Sequence, residues 1–300
     1  MDPLVHSNYL GFVSFFVPGG LNAGLGRSTR LPIRMFWLTT LGLGSTASAN
    51  RSITVVNNCR DVIWPGLFSQ AGSASSGGFE LHPQEQQVVN VTNDWDGRMF
   101  ARQGCVFNST MAACQVCNCG PDMACPGSNQ PPCSLGEWNM NGYANQTFFD
   151  MSLVDGFNVG ISIHAVQANV TPVCNSHLDD FGCPPGLKRY DADGNYEACW
   201  SFCAYSQMSV FCCTGSYDSP QSCRVHGSAR TAKHHCPDAY TWPFDDKTST
   251  FTVPSSNDFV VHFCPTQRST ILLGQATSLL FPRTLVAFLT TFAMYWSISM

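Results

Sequence analysis

The sequence shows no long amphipathic helical periodicity and no internal repeat, which argues against a helix bundle and against a solenoid. It has no Gly-x-Ser-x-Gly elbow, so acyl transfer by an activated serine has no support. Basic residues are scarce: residues 50–264 hold ten Lys and Arg against nineteen Asp and Glu, a net charge of −9. Such a balance argues against a nucleic-acid partner and against adhesion to anionic membrane surfaces, while leaving a neutral polymer acceptable. The apolar run at 285–298, LVAFLTTFAMYWSI, falls short of the ~20 residues a membrane helix needs.

What the sequence has in quantity is cysteine. There are sixteen, all between Cys59 and Cys264. Thiols at this density are a liability in a reducing cytosol, whereas secreted proteins use them as staples. Spacing alone cannot fix their connectivity. A zinc site is the rival reading. Cys114-x-x-Cys117-x-Cys119 and the adjacent Cys212-Cys213 lack both a clean second Cys-x-x-Cys and a following His-x3–5-His, so neither a metal nor any other cofactor is expected. His234-His235 reads as an exposed loop pair rather than as ligands.

The ends agree with secretion. Residues 35–44, MFWLTTLGLG, follow Arg27, Arg30 and Arg34 and precede Ala47-Ser48-Ala49, the small-x-small pattern of a signal-peptidase site. Residues 1–49 are therefore read as a signal peptide with an upstream extension. At the other end, Gly274 and Ala276, a spacer and the apolar tail match the outline of a GPI-anchor signal within 266–300. Between them, 50–265 is one domain. Sequons at Asn50, Asn90, Asn108, Asn145 and Asn169 fit a glycosylated surface.

Strand signals are many and short: ITVVNN at 53–58, QQVVNVT at 86–92, RMFARQGCVF at 98–107 and DFVVHF at 258–263. Turn-forming clusters separate them, SASSGG at 73–78, PGSNQPP at 126–132, CPPG at 183–186 and DADGN at 191–195. The pattern predicts a mostly β protein built as a β-sandwich. Residues 174–236 hold eight cysteines and few apolar runs, so they are read as a disulfide-rich loop subdomain with one short helix near Ala198–Tyr205.

At this point seven motifs stand in order: NNC at 57–59, GRMFARQGC at 97–105, FFDMSLVDGFNV at 148–159, EACWSFC at 197–203, FCCTG at 211–215, CPDAYTWPFDDKTSTFT at 236–252 and VHFCP at 261–265. With them the chain resembles the thaumatin-like proteins, the pathogenesis-related class 5 group of osmotin and thaumatin. The resemblance implies a thaumatin-like β-sandwich with a disulfide-rich loop domain and a small disulfide-bonded hairpin region. It also implies the pairs Cys59–Cys264, Cys105–Cys114, Cys119–Cys125, Cys174–Cys236, Cys183–Cys199, Cys203–Cys212 and Cys213–Cys223. Two departures follow. Val253 stands where the family usually has a cysteine, and Cys117 and Cys133, absent from the family pattern, would form an additional pair.

The same resemblance implies an acidic cleft made of Arg98, Glu137, Asp150, Asp155 and Asp245, acting on β-1,3-glucan. Glu137 is the expected acid, Asp155 the base or nucleophile and Asp150 an alternate. Arg98 and Asp245 would bind substrate, with Trp138 and Phe157 as stacking platforms beside Phe149 and Phe244, although core packing is the alternative fate expected for most of these aromatics. From the residues alone, Asp150 and Asp155 are five apart and would face opposite ways along a strand unless Val154-Asp155-Gly156 makes a turn. The leading expectation is a secreted, monomeric glucan-binding protein of the cell wall with weak endo-β-1,3-glucanase activity. The alternatives are an inhibitor of another glycan-acting enzyme and a passive wall-surface protein.

Overall fold

The computed structural model describes residues 50–108 and 112–266. The expected leader at 1–49, and all of the expected spacer and tail beyond residue 266, lie outside the described residues. Alternation is clearest at the start: in β1 (Arg51–Asn57), Ile53, Val55 and Asn57 are buried while Ser52, Thr54 and Val56 are only partly covered. Further strands follow as β2 (Trp64–Ala71), β3 (Gln86–Val91), β4 (Asp96–Phe107), β5 (Ala112–Val116), β6 (Leu135–Gly142), β7 (Gln146–Ser152), β8 (Ile161–Ala165) and β9 (Val173–Cys174). Then come β10 (Lys188–Tyr190), β11 (Tyr196–Cys199), α1 (Phe202–Ser206), α2 (Ser209–Cys212), α3 (Gly227–His235), α4 (Asp246–Ser249), β12 (Phe251–Pro254) and β13 (Phe259–Phe263).

These strands make two large sheets, a five-stranded one in the order β3-β1-β13-β8-β9 and a six-stranded one in the order β12-β7-β6-β4-β2, with β5 extending β4. Between them lies one apolar core. Ile53, Val55, Val261 and Phe263 enter it from the first sheet, and Met99, Trp138, Phe149 and Met151 from the second. Phe259 joins the layers, with ring centroids 6.1 Å from Trp138 and 5.2 Å from Phe149, both edge-on, the geometry that aromatic quadrupoles favour. The chain is thus a mostly β sandwich.

All sixteen cysteines are paired. Cys59–Cys264 joins the ends of β1 and β13, and Cys105–Cys114 staples β4 to β5. Cys117–Cys133 and Cys119–Cys125 hold the loop that precedes β6. Cys174–Cys236, Cys183–Cys199, Cys203–Cys212 and Cys213–Cys223 lace the stretch 174–236. Seven of these are the pairs the family resemblance implies, and Cys117–Cys133 is the additional pair expected where the chain departs from the family pattern. Val253, buried opposite Thr147, fills the place of the missing bridge with a small apolar side chain.

Two local expectations shift. The helix looked for at Ala198–Tyr205 begins only at Phe202, because Ala198 and Cys199 pair with β10 and the Ser201 side chain then caps the helix by accepting from the Ala204 amide at 2.9 Å. His234 and His235 are not in a loop but form the last turn of α3, where His235 lies against the Phe181 ring.

Candidate functional site

The register of the six-stranded sheet builds the site. Arg98 of β4 stands directly opposite Glu137 of β6, and Glu137 stands directly opposite Asp150 of β7. Three side chains far apart in the chain therefore form one row across three strands, where facing Cβ atoms lie ~4.5–5.5 Å apart. Their chain neighbours Met99, Trp138, Phe149 and Met151 alternate to the other face and fill the core. All three members of the row are buried.

Arg98 Nη2 lies 3.1 Å from Glu137 Oε1, and its Nη1 donates to the Ser128 hydroxyl at 3.3 Å. The Ser128 hydroxyl donates to Asn129 Oδ1 at 3.0 Å, and Asn129 Nδ2 donates to Asp155 Oδ2 at 3.1 Å. Asp155 thus reaches the row through a two-residue bridge rather than along its own strand. It does so from the expected turn: β7 ends at Ser152 and the Gly156 amide donates to the Leu153 carbonyl at 3.0 Å. Gly156 sits at φ +121°, where a Cβ would lie 2.5 Å from the Cys199 carbonyl oxygen, so no larger residue fits there.

Burial pushes the Glu137 carboxyl upward, and the charges of Asp155 and Asp96 add to this, while the Arg98 guanidinium and a hydrogen bond from Ser152 pull the other way. Burial pushes Asp150 well above the usual carboxylate range, and the Glu137 charge beside it adds to the shift; Arg98 opposes it and Asp246 reinforces it. Asp150 Oδ1 is buried with no hydrogen-bond partner. The row therefore combines one guanidinium with two side-by-side carboxyls in surroundings that disfavour a second negative charge.

The thaumatin family model matches residues 57–265. The chain belongs to the thaumatin family. Among curated proteins, the pathogenesis-related thaumatin-like protein 3.5 of Cryptomeria japonica is 36% identical over 229 residues, covering 74% of this chain and 93% of its own. Pathogenesis-related protein 5 of Arabidopsis thaliana is 34% identical over 237 residues, covering 78% and 98%. A Prunus avium protein named glucan endo-1,3-beta-glucosidase is 32% identical over 236 residues, covering 76% and 95%.

In this thaumatin-family protein not every expected site residue meets the row. Asp245 Oδ2 is engaged by Lys233 Nζ at 3.0 Å and accepts from the Thr241 amide and hydroxyl, while its Oδ1 accepts from Thr248 at 3.0 Å. It holds the segment before α4 in place. Its neighbour Asp246 is the acid whose charge acts on Asp150, and Asp246 Oδ1 accepts from the Tyr240 hydroxyl at 2.8 Å.

Trp138 and Phe157, expected as sugar platforms, are 2% and 0% exposed and pack in the core, so they cannot lie against a ligand. Phe149 shares that fate. Of the aromatics that alternate onto the face of the row, Phe68, directly opposite Arg98, and Phe148, two residues before Asp150, are partly covered, whereas Phe100, two residues after Arg98, is fully buried in a second apolar cluster. Asp96, two residues before Arg98 on β4, faces the same way and has a buried, unpartnered Oδ1. Its position at i−2 was the signal for it, as Phe148 was for Asp150. Among the described residues no group of acids, histidines and cysteines is arranged to hold a metal ion.

Proposed function

We propose that this protein is secreted, binds β-1,3-glucan of a cell wall in the cleft over the Arg98–Glu137–Asp150 row, and hydrolyses it weakly. The cross-strand register that sets these three side chains together, with Asp155 tied in through Asn129 and Ser128, is the observation that carries this reading. Hydrolysis of a glycosidic bond needs one protonated and one ionised carboxyl flanking it. Neighbouring carboxyls that share one guanidinium supply that difference, since the cation can neutralise only one of them. The naming of a Prunus avium relative as a glucan endo-1,3-beta-glucosidase supports the same ligand class. Phe68, beside Arg98, and Phe148, two residues before Asp150, offer apolar surface on the same face of the sheet for the sugar rings. Eight disulfides require an oxidising compartment, which supports secretion. Among the described residues no helix is long and apolar enough to cross a membrane.

The test is reducing-sugar release from a linear β-1,3-glucan, with co-sedimentation on insoluble glucan in parallel. Wild-type protein is expected to bind and to release sugar, and Glu137→Gln to lower release by about 100-fold or more while the thermal midpoint shows it folded. Co-sedimentation no better than that of a disulfide-rich control protein would overturn the reading.

A further inference from the structure

The two buried carboxyls of the row differ in what their oxygens touch. Glu137 Oε1 faces the Arg98 guanidinium at 3.1 Å. Asp150 has no cation of its own, and its Oδ1, in a residue only 8% exposed, has no donor. β12, which pairs with β7 on its other side, contributes no charged or titratable group; those that act on Asp150 are Glu137 on β6, Arg98 on β4, and Tyr240 and Asp246 from the segment that runs alongside the end of β7. That segment is held there by the Tyr240 amide donating to the Met151 carbonyl and the Leu153 amide donating to the Tyr240 carbonyl, at 2.7 and 2.8 Å.

The Tyr240 hydroxyl, close enough to feel the Asp150 charge, does not stabilise a charged Asp150. Its one hydroxyl proton is given to Asp246 at 2.8 Å, and the Thr250 hydroxyl also lies against it. An ionised Asp150 would therefore sit buried between two other acids without a hydrogen bond for its Oδ1, which is costly, whereas a protonated one is neutral. The only guanidinium in the row is already committed to Glu137.

We propose that Asp150 is the proton-bearing carboxyl of the row, that Arg98 holds Glu137 ionised, and that Tyr240 and Asp246 form the limb that keeps the proton on Asp150. This deepens the glucan-cleft reading and rests on it for its use, because it names the carboxyl that would supply a proton to a glycosidic oxygen. Glu137, expected from the sequence to be the acid, becomes the charged partner.

The test reads the carboxyls directly, without substrate. In protein labelled with carbon-13 at Asp and Glu carboxyls, with peaks assigned through Asp150→Asn and Glu137→Gln, Asp150 is expected to lose its proton at a higher pH than Glu137. In Asp246→Asn the Asp150 midpoint is expected to move down. The stability sign follows by linkage. Because the folded Asp150 holds a proton that the unfolded chain releases, its contribution is full below the ordinary aspartate value and is lost as pH rises through the folded value. Asp150→Asn should remove that fall, leaving a thermal midpoint about 2–4 °C above wild type at alkaline pH and no gain at pH 4. Glu137 titrating last, or an Asp150 midpoint unmoved by Asp246→Asn, would overturn the proposal. Should Asp150→Asn fail to fold, the exposed Asp246→Asn variant still decides the matter. Loss of glucan binding in the wild type would sink the functional reading and leave this titration order untouched.

Discussion

Replacing Arg102 by methionine is expected to cost on the order of 4 kcal/mol of stability and to lower the thermal midpoint by roughly 8–16 °C. Arg102 is fully buried, yet among the described residues no carboxylate pairs with it. Its Nε donates to the Trp64 carbonyl at 2.8 Å, its Nη1 to that of Asp122 at 3.3 Å, and its Nη2 to those of Met123 and Pro65 at 2.7 and 3.4 Å. The guanidinium also stands 5.4 Å from the centre of the Phe107 ring. Burial brings its pKa down to about 10, so it stays charged at neutral pH. Methionine fills a similar volume but donates nothing, and each buried carbonyl left without a donor costs about 1–3 kcal/mol. Arg102→Lys, with a single ammonium that reaches less far and cannot fork to several carbonyls, should recover less than half of the loss. Gly78 offers an independent check: a Cβ there would lie 2.1 Å from the Met123 carbonyl oxygen and 2.5 Å from Arg102 Nη2, so Gly78→Ala should break the same contact. A midpoint for Arg102→Met within about 2 °C of wild type would show that these bonds contribute little. The effect reaches the cleft as well. Asp122 and Met123 lie in the loop closed by Cys119–Cys125, and the residues just after it, Ser128 and Asn129, tie Arg98 to Asp155. Under the proposed function, glucan co-sedimentation should therefore weaken at temperatures where the sandwich is still folded.

The parts of the fold that were legible are those with a one-sided environment. The stretches 53–58, 86–92 and 258–263 lie within or overlap β1, β3 and β13, strands with a covered and an open face, and their alternation survives in the residue string. The stretch 98–107 lies in β4, which is buried on both faces from Gly97 to Arg102 and was legible through its apolar residues rather than through alternation. β6 does not read that way. Leu135, Gly136, Glu137 and Trp138 are all buried, because one face meets the main core and the other carries the row, so no alternation marks the strand. Its glycines and asparagines also have poor strand propensity, and the neighbouring strands impose the conformation. The disulfide pattern and the members of the cleft came from the family motifs rather than from spacing. Within the site, the correction of Trp138 follows from β6 itself, since Glu137 and Trp138 are adjacent in a strand and must face opposite ways. The exchange of Asp245 for Asp246 was not legible. The two acids are neighbours at the start of α4, and only the position of Lys233 on α3 and Tyr240 before the helix decides which one turns toward Asp150. The same holds for the Ser128–Asn129 bridge, which depends on a loop placed by Arg102.

Removing the Cys59–Cys264 bridge, by serine at both positions, should cost more than removing any other disulfide of the protein. Under the chain-entropy account the loss grows with the loop that is closed, to about 5 kcal/mol for roughly 200 residues against about 3 kcal/mol for roughly 10. Cys59 and Cys264 are 205 residues apart, whereas Cys203 and Cys212 are 9 apart. Topology sharpens the contrast. β1 and β13 pair in parallel within the five-stranded sheet, from Ile53 opposite Phe259 to Asn57 opposite Phe263, so the first and last strands must find each other across the whole domain. The bridge sits just past the end of that pairing, where the Asn58 amide donates to the Phe263 carbonyl at 3.0 Å and the Cys264 amide to the Gly160 carbonyl at 2.8 Å. Without it, the parallel pair must be closed by hydrogen bonds and core packing alone. Cys203–Cys212 joins two short, partly exposed helices that already touch, so its loss leaves their neighbours in place. Denaturant unfolding of the two double-serine variants, side by side, measures the difference. A larger loss for Cys59/Cys264 supports the entropic account, and it should appear with slowed refolding, because the chain must then make its longest-range pairing unaided. Equal losses would mean that the bridge acts through local contacts at the strand ends, and that the parallel pair closes well enough without it.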